Sequence, residues 1–198
     1  WLQQHALTEE TCPQVRTGWE MVEILADLRM DKDALTAALL FPLVEADVLS
    51  CDTLTSQFEP PVLVMLAAVK QMEAIRTIPV GPSQTPNAQQ ADNLRKMLLT
   101  MVEDVRAVVI KLAAQICYLR DVKNADEETR VLAAKQTNAI FGPLANRLGI
   151  WPLKWELEDL SFRFTEPQTY RDIAAKVWER LLEERGAAEQ ATPSIVFE

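Results

Sequence analysis

The sequence predicts an all-α globule of about eight or nine helices, and three observations predict it. Apolar residues recur every three or four positions through most of the chain, with no stretch of strict apolar–polar alternation. Glycine is scarce, at 5 of 198 residues, which leaves few of the tight turns that sheet-rich folds use. Hydrophobic residues make up 48% of the chain, enough for one packed core.

The elements follow in order. Residues 18–29 place Trp19, Val22, Leu25 and Leu28 on one helical face. Residues 33–45 repeat Leu35, Leu39 and Leu43, and Pro42 should kink or shorten that helix. A third helix is expected from Pro61 to Ala74, with proline tolerated in its first turn. Pro79, Gly81, Pro82, Ser83 and Pro86 mark 76–90 as a loop. Residues 91–120 carry an unbroken stripe of Leu94, Leu98, Met101, Val105, Val108, Leu112, Ile116 and Leu119. Residues 126–148 repeat it through Val131, Ala134, Phe141, Leu144 and Leu148, and Gly149 reads as the stop. Helices over 152–163 and 167–185 complete one domain, residues 1–185. Residues 186–198 are expected to form a frayed tail or linker, in which Ile195, Val196 and Phe197 could dock.

Composition excludes several function classes. A net charge of −9 repels phosphate backbones and anionic membrane surfaces, so direct nucleic-acid and membrane binding are not expected. No run approaches the ~20 apolar residues that span a bilayer, and no signal peptide is visible. Cys12, Cys51 and Cys117 are far apart and odd in number, which fits a reducing cytoplasm rather than a disulfide framework. A start at Trp1 is expected of a piece of a longer chain. Five glycines leave little room for a phosphate loop, and no Cys-x-x-Cys pair exists. His5 is the only histidine and reads as a terminal surface residue. Glu156, Glu158, Asp159, Glu183 and Glu184 read as solvated helix faces, with Lys154–Glu158 a surface pair. The residues alone describe an acidic helical domain without a visible active site.

A resemblance adds to this. The segment Pro143 to Arg163, PLANRLGIWPLKWELEDLSFR, closely resembles the end of the hydrolase domain in RelA/SpoT-family synthetase/hydrolase enzymes of (p)ppGpp. Val108–Ala113 with Leu119-Arg120, and Ala37–Leu40, look like the same family's core helices; the resemblance covers residues 15–185. It implies an HD-domain-like multi-helix fold. Active members are similar to metal-dependent phosphohydrolases that hold one Mn²⁺ with two histidines and two aspartates and remove the 3′-pyrophosphate of ppGpp. The ion would polarise a phosphoryl oxygen and lower the pKa of a bound water.

The sequence departs from that pattern at each ligand. The first histidine falls at Thr17, the His-Asp pair at Phe41-Pro42 and the distal aspartate at Ala114. Among substrate positions, Glu45 survives, its neighbouring aspartate becomes Ala46, and the assisting asparagine becomes Tyr118. Residues 1–15 contain none of the lysines or arginines that the family uses there. Phe41 and Tyr118 are expected to fill part of the old cavity. No cofactor is expected.

Such losses mark the RelA-like monofunctional branch, which Glu20–Leu25 and Val131–Lys135 also resemble. The resemblance therefore implies a degenerate pseudo-hydrolase beside a synthetase domain of the same chain, a GTP pyrophosphokinase of the stringent response. Ribosome and uncharged tRNA would bind through other regions. The surface coupling to the synthetase is expected between Trp151 and Arg163, with Trp151 and Trp155 either its anchors or core residues. Two alternatives stand beside this. A relic pocket could bind a guanine nucleotide through Arg16, Lys111 and Arg120, or dock a protein partner. An active hydrolase could recruit Glu45, Asp47 and Asp52.

Overall fold

The computed structural model describes residues 7–8, 10–72 and 104–191. His5, the predicted loop 76–90 and the first part of the stripe at 91–103 lie outside them. Among the described residues there are nine α-helices and no strand.

Helix α1 (Pro13–Asp27) starts on a proline, whose missing N–H would be unpaired there anyway. Its buried line is Val15, Gly18, Met21, Ile24 and Leu25. Trp19, predicted on that face, is 44% exposed instead. The reason is Gly18, where α2 crosses: a Cβ there would lie 2.5 Å from the Leu39 carbonyl oxygen. The contact is centred on the glycine line, and Trp19 falls beyond its edge.

Helix α2 (Lys32–Glu45) is capped by Asp31, whose carboxylate accepts from the N–H groups of Asp33 and Ala34. Its buried residues run almost all round, including Ala37, Leu40, Phe41, Pro42 and Leu43, because α1, α4 and α5 all pack on it. Leu35 and Leu39 are only half-buried. Pro42 sits inside the last turn, and the helix stops at Glu45. Helix α3 (Cys51–Gln57) is short and was not legible as a repeat; Ser50 caps it by accepting from the Thr53 N–H at 3.2 Å. Helix α4 (Pro60–Gln71) buries Val62, Met65, Leu66 and Val69.

Helix α5 (Val105–Asp121) is the central rod. Eleven of its residues are buried, from Ala107 to Leu119, under α1, α2, α4 and α8. Val105, at its first turn, is exposed rather than part of the buried stripe. A 3₁₀ turn, Val122–Asn124, leads to α6 (Glu127–Gln136). A π turn, Thr137–Phe141, then joins α6 to α7 (Gly142–Arg147). The predicted helix over 126–148 is thus continuous but carries a π insertion. Pro143 explains it: a proline ring in mid-helix collides with the carbonyl one turn back, and the wider turn makes room. Gly149, at φ 72°, ends α7, and the Ile150 N–H reaches back to the Ala145 carbonyl at 3.0 Å.

Helix α8 (Trp151–Thr165) lays Leu153, Leu157 and Ser161 against α5, α6 and the π turn. Helix α9 (Pro167–Ala191) packs on α8, with Tyr170 edge-on to Phe162 at 6.0 Å. It runs on past Gly186, where the sequence predicts a frayed tail. The residues beyond, Ala187 to Ala191, are good helix formers, and one interior glycine costs only about 1 kcal/mol.

Candidate functional site

Three helices converge on a pocket of about 260 Å³. Helix α1 contributes Gln14, Thr17 and Met21; α2 contributes Phe41, Pro42, Glu45 and Ala46; α5 contributes Lys111, Ala114, Tyr118 and Asp121. The spacing on each helix is three or four residues with immediate neighbours, so each set forms one face. Every position that the resemblance assigned to a metal ligand or to substrate lines this one pocket.

The floor is formed by Phe41, 2% exposed, and Lys111, 1% exposed. The Lys111 ammonium lies 5.3 Å from the centroid of the Phe41 ring, so the ring's negative face offsets part of the cost of burying the charge. Thr17 and Tyr118 are half-buried walls, and Glu45 and Asp121 are exposed on the rim. The Thr17 hydroxyl donates back to the Pro13 carbonyl at 3.3 Å. Phe41 does take up part of the pocket, at its floor, but the cavity stays open.

This lining does not fit a manganese ion held by two histidines and two aspartates. Phe41, Pro42 and Ala114 offer no side-chain lone pair, and the pocket's carboxylates are Glu45 and Asp121. Among the described residues, no group of three or more His, Cys, Asp or Glu could hold a metal. Of the acids weighed for an unorthodox metal set, only Glu45 lines the pocket. Asp47 lies beyond the end of α2, its side chain 92% exposed and 4.0 Å from Lys70. Asp52 lies in the first turn of α3 and is exposed.

The basic residues divide. Lys111 lies in the pocket, whereas Arg16 and Arg120 do not. They line a neighbouring groove of about 850 Å³ with Glu20, Glu156, Asp159 and Arg163. There Arg120 donates to Glu156 at 3.1 Å, Arg163 pairs with Asp159 at 2.7 Å, and Arg16 lies 3.8 Å from Glu20. These arginines already serve carboxylates: Arg16 and Arg163 one turn away on their own helices, and Arg120 across from α5 to α8. Glu156 is therefore a cross-helix partner and not a merely solvated acid, while Lys154–Glu158 is the surface pair predicted, at 2.6 Å.

Sequence reading missed Gln14 and Asp121 as pocket residues. Asp121 was findable, since it lies one turn beyond Tyr118 on the same face of α5. Cys117 is buried beside this region, and burial pushes its thiol up to about 12, so it stays protonated near neutral pH and is no nucleophile.

Trp151 and Trp155 are surface residues, 49% and 63% exposed, and not core. Lys154 sits over the Trp151 ring at 5.9 Å. Helix α9 adds Ile173, Val177, Trp178, Leu181 and Leu182, all about half exposed or more. No helix of the described residues is long and apolar enough to cross a membrane.

Comparison with known proteins agrees with this architecture. Residues 2–151 match the HD domain family. The chain is 51% identical over 166 residues to a GTP pyrophosphokinase of Escherichia coli K12, covering 84% of the chain and 22% of that protein. A GTP pyrophosphokinase of Haemophilus influenzae is 46% identical over 170 residues, 85% of the chain and 23% of the relative. A probable guanosine-3′,5′-bis(diphosphate) 3′-pyrophosphohydrolase of Synechocystis is 35% identical over 157 residues, 79% of the chain and 20% of the relative. The chain thus spans about a fifth of the length of these relatives.

Proposed function

Because the chain belongs to the HD-domain family, in its RelA/SpoT branch, we propose that it is a pseudo-hydrolase: a ppGpp-hydrolase scaffold without hydrolysis, regulating a synthetase domain of the same protein. The observation that carries this reading is the chemistry of the pocket. Thr17, Phe41, Pro42 and Ala114 come together where the family would hold its ion, and three of the four cannot ligate one. Catalysis of this kind depends on the metal's charge at the phosphoryl group, so the loss removes the reaction and leaves the fold.

The test is hydrolysis of ppGpp by this chain, with Mn²⁺ and with the ion chelated. The expected outcome is no pyrophosphate release in either condition. Mn²⁺-dependent release would overturn the reading and assign the ligands elsewhere.

The regulatory half rests on the exposed apolar groups of α8 and α9. Trp151 and Trp155 on α8, with the stripe of α9, form more apolar surface than a solvated helix pair needs. The relatives' name, GTP pyrophosphokinase, suggests what they serve, a pyrophosphate-transferring synthetase domain; the family resemblance adds a cytoplasmic setting, with ribosome and uncharged tRNA bound by other regions. The proposed domain spans 1–185, although α9 crosses residue 186 without a break and so would act as a rigid exit rather than a loose linker. In the full-length protein, Trp151→Ala is expected to change basal synthesis while leaving the melting temperature of this chain within about 2–4 °C. Unchanged synthesis would remove Trp151 from the coupling surface.

One observation favours a second reading, nucleotide capture in the relic pocket: Lys111 places a cation on its floor. Glu45 and Asp121 on the rim oppose a polyanion there. Calorimetry with ppGpp separates the two, since a scaffold alone gives no heat of binding.

A further inference from the structure

The first turns of α2 and α5 are joined through one guanidinium. Asp31 caps α2, its Oδ1 accepting from the N–H groups of Asp33 at 3.0 Å and Ala34 at 3.1 Å. Asp104 caps α5, its Oδ1 accepting from the Arg106 N–H at 2.9 Å. Asp31 turns its other oxygen, and Asp104 both of its oxygens, to the Arg106 side chain. Nη1 donates to Asp31 Oδ2 at 2.8 Å, and Nε donates to Asp104 Oδ2 at 2.9 Å. The planar guanidinium thus grips two helix caps from two of its edges, a geometry that lysine's single ammonium cannot copy.

The two helices so joined are those that carry most of the pocket, and both run from this clamp toward it. Phe41 lies about 15 Å along α2 from Asp31, and Lys111 lies about 7 Å along α5 from Arg106. Between clamp and pocket, α2 buries Ala34, Ala37 and Ala38 ahead of Leu40, while α5 buries Ala107, Val108, Val109 and Ile110. The methyl groups of the α2 stretch interlock weakly along the helix axis and set its register poorly. Directional, charge-assisted hydrogen bonds set it well.

We infer that Arg106 is the positioning residue of the pocket: it fixes the register of α5 against α2, and so holds Lys111 over Phe41. In a ligand-complete HD site, an ion shared between the positions of Phe41, Pro42 and Ala114 would bridge the same two helices. That comparison rests on the pseudo-hydrolase reading, whereas the clamp rests on the geometry of α2 and α5 alone.

The test is hydrogen exchange on the whole chain, comparing wild type with Arg106→Gln, Arg106→Lys and Asp31→Asn. Asparagine keeps the cap but loses the charge, so Asp31→Asn cuts the tie without uncapping α2. Arg106→Gln is expected to speed exchange roughly tenfold across 37–45 and 111–118, with residues 153–165 of α8 unchanged. Arg106→Lys should keep part of the protection, and Asp31→Asn added to Arg106→Gln should add little, since both cut one tie. Changes confined to 32–36 and 105–108 would mean that Arg106 only stiffens helix ends, and would overturn the proposal. So would additive effects of the two substitutions, or no change at all. Should Arg106→Gln fail to fold, Arg106→Lys and Asp31→Asn carry the same test. Mn²⁺-dependent hydrolysis by the wild type would end the pseudo-hydrolase reading and leave the exchange result standing.

Discussion

Helices α5 and α9 carry apolar residues at the same three- and four-residue spacing, yet α5 is buried on nearly every side and α9 lies open along most of its length. In α5, Ile110, Leu112, Ile116 and Leu119 are fully enclosed. In α9, Val177, Trp178 and Leu181 are each at least half exposed. Periodicity states which face of a helix gains by leaving water. It does not state that a partner is present to cover it. The difference separates residues that hold this domain together from residues available to hold something else.

The comparison is sharpest in side-chain truncation. Leu112→Ala should cost about 2–5 kcal/mol in denaturant unfolding, through lost burial and the cavity left behind. Leu181→Ala should stay within about 0.5 kcal/mol in the same chain. A comparable loss at Leu181 would mean that α9 is covered in solution, and would erase the distinction.

A second test bears on how tightly the buried half is built. Gly18→Ala puts a methyl 2.5 Å from the Leu39 carbonyl oxygen, a backbone atom that cannot rotate away. The α1–α2 contact must open, with an expected loss of about 1–3 kcal/mol in thermal or denaturant unfolding. A neutral result would show that α1 can slide, and that the pocket wall it supplies is not fixed by this crossing.

The smallest expected effect is the acid dependence of the clamp. The hydrogen bonds from Arg106 hold the carboxyls of Asp31 and Asp104 below the ordinary aspartate range, and backbone N–H groups add to this. Folded values lower than unfolded ones mean that this stability is present above the unfolded pKa and is lost as pH falls through the folded values. Melting temperature should therefore fall faster with acid in wild type than in Asp31→Asn. Because the cluster is partly exposed, solvent screening keeps the difference small. Parallel pH profiles would show that the tie contributes nothing.

Much of the fold was legible. The helical stretches α2, α4, α8 and the start of α9 fall near their predicted spans, because each shows a clear apolar period or a terminal proline, whereas α1 begins at Pro13, ahead of its predicted start at 18. Helix α3 was missed since its seven residues, CDTLTSQ, are too few and too polar to show one. Trp19 was misplaced because a large apolar residue one position beyond Gly18 looks like core in a pattern, and only the neighbour's approach reveals the glycine as the contact. The resemblance expects Thr17, Phe41, Pro42 and Ala114 at one site, and these four residues line one pocket. The basic residues were not legible: Arg16 and Arg120 are close to pocket positions in sequence, but neighbours on a helix point some 100° apart.

The sequence by itself determined the helical class, the register of most helices and the kind of side chain at each pocket position, because these follow from local periodicity and residue chemistry. Only the tertiary structure decided which charges face the pocket, which tryptophans stay in water, and that one arginine joins the first turns of two helices far apart in the chain. Those outcomes depend on how the faces of different helices meet, and packing in three dimensions fixes such meetings where local preference does not.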